Sequence, residues 1–390
     1  MKRIALIKFD DSDNPWMVYK DVGMFLYMMA KEYNYKSTYL YFNTIYNTSE
    51  WNPEFKNYVK PICLGSSNDY RRQIKLAKYY LKEHASEIDI LMLFNYGSTV
   101  WKLARLAKRY NPNIIVYSKL DMGKGGYQHF CNTKITTPIK NYFEKIKSRY
   151  VDFFSVETKL YFESLKKLSV FRDKIMYLPN GVSLLDVNLN EVEKYDKENI
   201  IITIGRLGDY SKHNELLLEA MVLLPEYILK KWKFYFVGPY TKEFAIYLKR
   251  FILDNPKIKN SIVLTGKVEN RTALYSLCKR AKIICMTSRS ESVCIAVVEA
   301  MYFGAYPVLT NYSDFVLDAT NQGKLGCITE HTAKSVSNAL RKTIEDEGLS
   351  DLNIECQKYA RKYFNYKRLA GVLDDFIITY RNRFYTKNKN

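Results

Sequence analysis

The chain has 390 residues, 47% of them hydrophobic and 26% charged, a balance that excludes a disordered polymer and suits two ordinary domains better than one. No run approaches the ~20 consecutive apolar residues of a membrane span, and the opening MKRIALIKFDDSDNPW is broken by Lys8 and Asp10 before reaching the roughly 7–15 apolar residues of a secretory signal. Seven scattered cysteines without a C-x-x-C pair, and only four histidines, argue for free thiols in a reducing cytoplasm and against a structural zinc site.

The net charge is +19. It admits two readings, an anionic partner or a compositional bias in a chain rich in Lys, Asn, Ile and Tyr. Residues 1–190 hold 29 Lys/Arg against 18 Asp/Glu, and 29 − 18 gives +11 of the excess.

In chain order, short β-branched runs alternate with longer amphipathic segments. Strands are expected at 3–9, 37–42, 88–94, 113–119 and 153–157, with helices near 20–34, 70–85, 98–110, 138–149 and 158–168. Continuous apolar runs such as IDILMLF suit strands buried on both faces of a parallel sheet. Their alternation with helices gives βαβ units. The turn-rich, polar stretch around Pro179-Asn180-Gly181 interrupts the rhythm, so residues 1–182 read as one domain and 183–198 as a linker. A second series follows in 199–364, with strands at 199–205, 232–238, 261–266, 281–287, 305–310 and 325–329. Its helices are expected near 213–224, 241–254, 270–279, 293–303, 331–346 and 351–363. The amphipathic segment 365–390 either closes the second domain or crosses back to the first.

Three features of the second half carry chemistry. In ITIGRLGDYSKHNELLLEAM, Gly205 ends a strand and Arg206 and Lys212 lie in the loop before a helix. An anion there would meet two cations and the free N–H groups of a helix start; solvated loop cations are the plainer alternative. In SRSESVCIAVVEAMYFGAYPVLT, Glu291 precedes a helix and Glu299 lies inside it, 299 − 291 = 8 residues on. Glu299 sits among apolar neighbours. Unpaired burial of a carboxylate is costly, so it either finds a partner, such as the two hydroxyls of a ribose, or faces solvent. Gly238 and the turn Gly266-Lys267-Val268 fall at strand C-termini, where open α/β sheets bind ligands.

Together these residues resemble the retaining glycosyltransferases of family 4 (glycosyl transferases group 1). The E-x7-E motif matches Glu291 and Glu299, the small-residue and proline run matches Ala300-Met301, Gly304 and Pro307-Val308, and the diphosphate-binding pair matches Arg206 and Lys212. The resemblance is specific from about 177 to 315. It implies an α/β chain of GT-B fold, two Rossmann-like domains whose parallel sheets face across a donor/acceptor cleft. It further implies a nucleotide-diphosphate sugar donor, UDP or GDP type undecided, no cofactor and no metal. Arg206 and Lys212 would neutralise the diphosphate, Glu291 would bind the donor sugar, and Glu299 would hold the ribose. Gly205, Gly238, Val268 and the N–H groups of Val293, Cys294 and Ile295 would line the donor site.

The chain also departs from that pattern. Val293-Cys294 replaces Phe-Gly, and Cys294 would crowd the backbone approach to the sugar. The usual glycine pair after the first strand is absent, leaving only Gly23. Where members carry a histidine, VYSKLDMGKGGY offers Asp121 as the nearest polar candidate for the catalytic set. Asp11-Ser12-Asp13 has the form of a metal-binding D-x-D but reads as a solvated turn.

The first domain should hold the acceptor, a glycan or a polyprenyl-diphosphate-linked glycan of cell-surface polysaccharide assembly. The basic segments 70–82, 101–110 and 139–150 are interleaved with aromatics. They are either surface helices with aromatic core faces or contacts to an anionic membrane surface. Expected location is cytoplasmic, peripheral at the inner face of the membrane. Competing readings are a nucleotide-sugar-binding protein of the same fold without transfer activity and, from a different class, a basic nucleic-acid-binding protein. The latter lacks a recognisable nucleic-acid module.

Overall fold

The computed structural model describes residues 1–9, 18–43, 51–131 and 137–387. The chain divides into two units, residues Met1–Leu185 with Asn365–Asn390, and Asp186–Phe364.

The first unit begins with β1 (Lys2–Ile7), α1 (Val22–Tyr33), β2 (Tyr35–Asn43), α2 (Pro53–Tyr58) and β3 (Val59–Ser66). It continues with α3 (Tyr70–His84), β4 (Ile90–Phe94), α4 (Ser98–Tyr110) and β5 (Ile115–Lys119), then α5 (Lys124–Cys131), α6 (Thr137–Lys147), β6 (Phe153–Val156), α7 (Lys159–Leu165) and β7 (Ile175–Tyr177). The strands form one sheet in the order β3-β2-β1-β4-β5-β6-β7, every pair parallel. Side chains alternate across it. Ile4 and Leu6 of β1 enter one core with Tyr39, Met92 and Tyr117, while Ala5 and Ile7 enter the other with Leu40, Leu91 and Val116. Apolar residues are therefore needed at every position of the central strands, which makes their runs continuous.

Two strands of this sheet lie outside the sequence expectation, and both are edges. VKPICLGS of β3 carries Pro61 and is half-exposed. A proline is tolerated there because an edge strand leaves one side unpaired. The other, β7, is only three residues long.

The second unit comprises α8 (Leu189–Glu193), β8 (Glu198–Ile204), α9 (Glu215–Val222), α10 (Glu226–Lys231), β9 (Lys233–Val237), α11 (Lys242–Asp254) and β10 (Ile262–Gly266). After these come α12 (Arg271–Arg280), β11 (Ala281–Met286), α13 (Ile295–Tyr302), β12 (Tyr306–Thr310), α14 (Phe315–Ala319), β13 (Cys327–Thr329), α15 (Ala333–Ile344) and α16 (Leu349–Tyr363). Its parallel sheet runs β10-β9-β8-β11-β12-β13. Strand order reverses between β8 and β11, and open sheets take ligands at such a switch point.

Residues 186–198, expected to be linker, are built into this second unit. Val192 is fully buried, and Glu193 accepts from Lys279 at 2.6 Å and Arg361 at 2.5 Å. Lys197 is half-buried and donates to the carbonyls of Ala281 (2.6 Å) and Phe303 (2.8 Å). Those carbonyls lie just past the C-terminal ends of α12 and α13, where a hydrogen-bond donor satisfies the last carbonyls, while desolvation draws Lys197 down to about 7.

The chain ends in α17 (Tyr366–Lys387), which returns to the first unit. Tyr366, Leu369, Ala370, Leu373 and Ile377 join the core that holds α1, and Lys2 pairs with Asp374 at 2.8 Å.

Candidate functional site

The switch point of the second unit gathers most of the residues singled out in the sequence. Gly205 follows β8 and its N–H donates to Val237 O at 2.9 Å; the Gly238 N–H donates to Gly266 O at 3.0 Å. Gly238 has φ +137°, and a Cβ there would lie 1.9 Å from Gly205 O. Only glycine permits that approach. The ends of β8, β9 and β10 are thus drawn into one tight ledge, with half-buried Val268 two residues beyond Gly266.

Lys212 reaches back over this ledge. Its aliphatic stem passes 3.5 Å from where a Gly205 Cβ would be, and its Nζ pairs with Glu291 Oε1. Ser288 Oγ donates to the same oxygen at 2.9 Å. The loop carrying Glu291 is fixed from two directions. Arg289 N–H donates to Ser211 O at 2.8 Å, and Thr310 Oγ1 donates to Ser288 O at 2.8 Å. The lysine and glutamate side chains stay 16% and 11% exposed, so the pair is held in place yet reachable.

Arg206 differs. Its side chain is 69% exposed and pairs with Asp209 at 2.8 Å. Arg206 and Lys212 therefore do not stand as two bare cations converging on one anion; each is neutralised by a different carboxylate. Asp209 is drawn down to about 2, chiefly by accepting from the Ser211 hydroxyl and N–H and then by Arg206. Beneath the loop, His213 takes a left-handed conformation (φ 44°). Its Nδ1 lies 3.1 Å from His331 Nε2, which lies 3.1 Å from Thr287 O. Burial, Arg289 and His331 together push His213 down to about 4.

At the start of α13, one expectation changes. Ile295 N–H already donates to Val293 O at 3.1 Å, because the chain turns tightly before entering the helix. Of the three N–H groups expected to line the donor site, this removes that of Ile295 and leaves those of Val293 and Cys294. The Cys294 side chain is buried beside Tyr312, and burial first, then Glu291, push its thiol up to about 12.

Glu299 is buried rather than solvent-facing, and its partner is internal. Oε1 accepts from Tyr275 Oη at 2.8 Å and from Arg271 at 3.1 Å, and Arg271 also donates to Tyr275 Oη. Arg271 and Tyr275 stand one turn apart on α12, so both reach the same carboxylate. The need of Glu299 for a partner is met without a ribose, and its burial alone does not call for one.

Asp121 belongs to the first unit. It is exposed beyond β5 and lines a cavity of about 490 Å³ with Tyr96, Trp101, Phe130 and Glu144. The pair Asp11/Asp13 lies outside the described residues. Sequence reasoning missed Arg271, Tyr275, Ser288, Lys197 and the His213–His331 contact. The i, i+4 spacing of Arg271 and Tyr275 was the one local signal; the rest are long-range pairings.

Two parallel-sheet α/β units of this topology define the GT-B fold. The alignment with sucrose-phosphate synthase of Thermosynechococcus elongatus has a TM-score of 0.68 at 14% identity and covers 99% of this chain and 100% of that one. That with HepE of Anabaena in complex with UDP gives 0.68 at 12%, covering 97% and 100%. Residues 186–363, almost the whole second unit, match the family described as glycosyl transferases group 1. A Campylobacter jejuni protein, GalNAc-alpha-(1->4)-GalNAc-alpha-(1->3)-diNAcBac-PP-undecaprenol alpha-1,4-N-acetyl-D-galactosaminyltransferase, is 24% identical over 210 residues, 52% of this chain and 54% of that protein. The chain spans about half the length of the curated relatives it matches.

Proposed function

We propose that the protein is a retaining, metal-independent glycosyltransferase that moves a sugar from a nucleotide-diphosphate donor to a glycan or lipid-linked acceptor. The observation that carries this reading is the reachable Lys212–Glu291 pair on the glycine ledge at the β8/β11 switch point, inside the stretch that matches group 1 glycosyl transferases.

In the structure Glu291 neutralises Lys212. A donor diphosphate replaces it as the partner of Lys212 and draws Arg206 off Asp209, which frees the Glu291 carboxylate to accept from hydroxyls of the donor sugar. The N–H groups of Val293 and Cys294 add donors at the helix start. Gly205, Gly238 and Val268 form the floor. Glu299, held by Arg271 and Tyr275, stands two turns along α13 as the candidate for the ribose. The bond between the anomeric carbon and the β-phosphate oxygen breaks as the acceptor oxygen bonds that carbon on the same face, and the acceptor proton passes to the departing phosphate oxygen. Lys212 and Arg206 stabilise the charge that develops there; two cations can take the part a divalent ion plays elsewhere.

We assign acceptor binding to the first unit, with Asp121 at the mouth of its cavity. The Campylobacter relative's name specifies a PP-undecaprenol-linked glycan, which supports the same acceptor class here and a role in cell-surface polysaccharide assembly.

The test is thermal unfolding with UDP-, GDP-, ADP- and dTDP-linked sugars without added metal, comparing wild type with Lys212→Ala. A ligand at about 100 times its dissociation constant stabilises by about 2.7 kcal/mol. Stabilisation by one nucleotide class, lost in the variant, is expected. No response to any nucleotide sugar overturns the reading. Stabilisation without release of nucleoside diphosphate over a panel of lipid-linked acceptors reduces it to donor binding alone.

A further inference from the structure

Helix α6, TPIKNYFEKIK, presents its apolar side chains outward. Ile139, Tyr142, Phe143 and Ile146 are between 39% and 68% exposed, and their spacing i, i+3, i+4, i+7 puts them within an arc of about 100° on one face. The opposite face holds Glu144 and leads into Ser148. Glu144 is buried and accepts from Tyr96 Oη at 2.9 Å, and Ser148, just past the helix, is buried and donates to Glu144 O at 2.8 Å. An amphipathic helix on a soluble core normally points the other way. Here the polar face is anchored and the apolar stripe is left uncovered.

Cations frame the stripe. Lys145 and Lys147 lie on either side of it by helical angle, and Arg149 follows; all three are exposed. One short turn beyond α6, Tyr150 lines a cavity of about 550 Å³ whose other walls include Lys78, Lys102, Arg105, Lys108 and Arg109 from α3 and α4. Of these, Lys108 is committed to Asp152 at 2.7 Å; Lys78, Lys102, Arg105 and Arg109 are exposed. No described helix is long and apolar enough to cross a membrane.

We propose that α6 docks in the plane of an anionic bilayer, its stripe entering the headgroup–acyl boundary while the α3–α4 basic cavity receives lipid phosphates. The charge pattern selects this occupant. An apolar stripe with aromatic rings and a cationic rim matches the interface of an anionic membrane, and each cation near such a surface contributes about fivefold to binding. The proposal does not depend on the donor site, which lies in the other unit.

The experiment is co-sedimentation of the full chain with vesicles of phosphatidylglycerol and phosphatidylcholine, against pure phosphatidylcholine vesicles. Wild type is expected to bind the anionic vesicles preferentially and to release as salt shortens the screening length. Ile139→Ser/Phe143→Ser weakens binding about tenfold or more, since two exposed apolar groups no longer insert. Lys102→Glu/Arg105→Glu abolishes the preference for phosphatidylglycerol. All four positions are exposed or rim positions, and retention of the wild-type melting temperature and nucleotide-sugar response shows that the fold and donor site are intact. Equal binding to both vesicle types, or unchanged binding by the Ser variant, overturns the proposal. So does a concentration-dependent dimer that the Ser variant dissolves, which would show the stripe covered by a second copy.

Discussion

Each unit carries a lysine–glutamate contact at the C-terminal ends of its parallel strands, and the two differ in what encloses them. In the first unit Lys119, the last residue of β5, pairs with Glu157 after β6, and the side chains are 0% and 3% exposed. Asp21 Oδ1 lies 3.1 Å from the same Nζ, close enough for an ion pair though outside good hydrogen-bond direction. Burial works against the charged lysine, but the two carboxylates outweigh it and hold Lys119 well above its usual range. Burial, only partly offset by Lys119, raises both Asp21 and Glu157. In the second unit Lys212 and Glu291 come from loops, keep one carboxylate to one lysine, and remain reachable. The same two side chains make a sealed strut in one place and a partly exposed pair in the other. Enclosure, rather than the pairing itself, is what distinguishes the two contacts.

Breaking the sealed contact should cost the most stability. Lys119→Met leaves two carboxylates buried without their cation, and removal of one partner from a buried ion cluster costs about 3–5 kcal/mol. Urea unfolding at neutral pH should show that loss. The triple variant Asp21→Asn/Lys119→Met/Glu157→Gln should recover most of it, because the uncompensated charges are gone. A loss below about 1 kcal/mol in the single variant would mean water reaches the cluster, and the contrast with Lys212 would fail.

Breaking the open contact should spare stability and remove function. Lys212→Ala is expected to lower the melting free energy by about 1 kcal/mol, because Glu291 keeps Ser288 and regains water. The transfer rate should fall by about 10²–10³-fold, the usual cost of losing a charge-stabilising donor at a leaving group. Steady-state release of nucleoside diphosphate measures it once a donor is known. A variant that transfers sugar at the wild-type rate would leave the pair as a second strut.

The same difference explains what the sequence could show. Strands such as β4 (ILMLF) and β8 (ENIIITI) are legible because burial on both faces demands unbroken apolar runs. The edge strand β3 is not, since Pro61 and its half-exposed positions carry no such demand. Glu291, Glu299, Arg206 and Lys212 stand out through motif spacing, and the glycine ledge through strand ends. Their actual partners do not. Nothing local couples Lys212 to Glu291 rather than to a ligand, or assigns Arg271 to Glu299, because residues 79 and 28 positions apart meet only through the β8–β11 and α12–α13 packing. Lys119 is still less visible. As a lysine at a strand end it reads as solvated, and its enclosure follows from where α1 and β6 lie.

The smallest expected effect concerns the histidine pair beneath the open site. His213 is held near 4 in the folded chain, against 6.5 in the unfolded one. As pH falls below 6.5, the unfolded chain takes up a proton that the native chain refuses, so stability is lost between about 6.5 and 4. Partial exposure and the shared contact with His331 reduce the full value, leaving about 1–2 kcal/mol. Asp209 acts in a separate window. Its contribution is present above its unfolded value of 3.8 and is lost only as pH falls towards 2. His213→Asn keeps a residue that accepts the left-handed backbone but titrates nowhere in this range. It forfeits the contact with His331, so it should melt lower than wild type at pH 7.5. Towards pH 4.5 the gap should close or reverse, because only wild type then pays for the unprotonated ring. Melting curves from pH 4.5 to 7.5 decide the matter. Parallel curves would show that the ring takes up its proton in place, and that the loop carrying Lys212 is as open beneath as it is above.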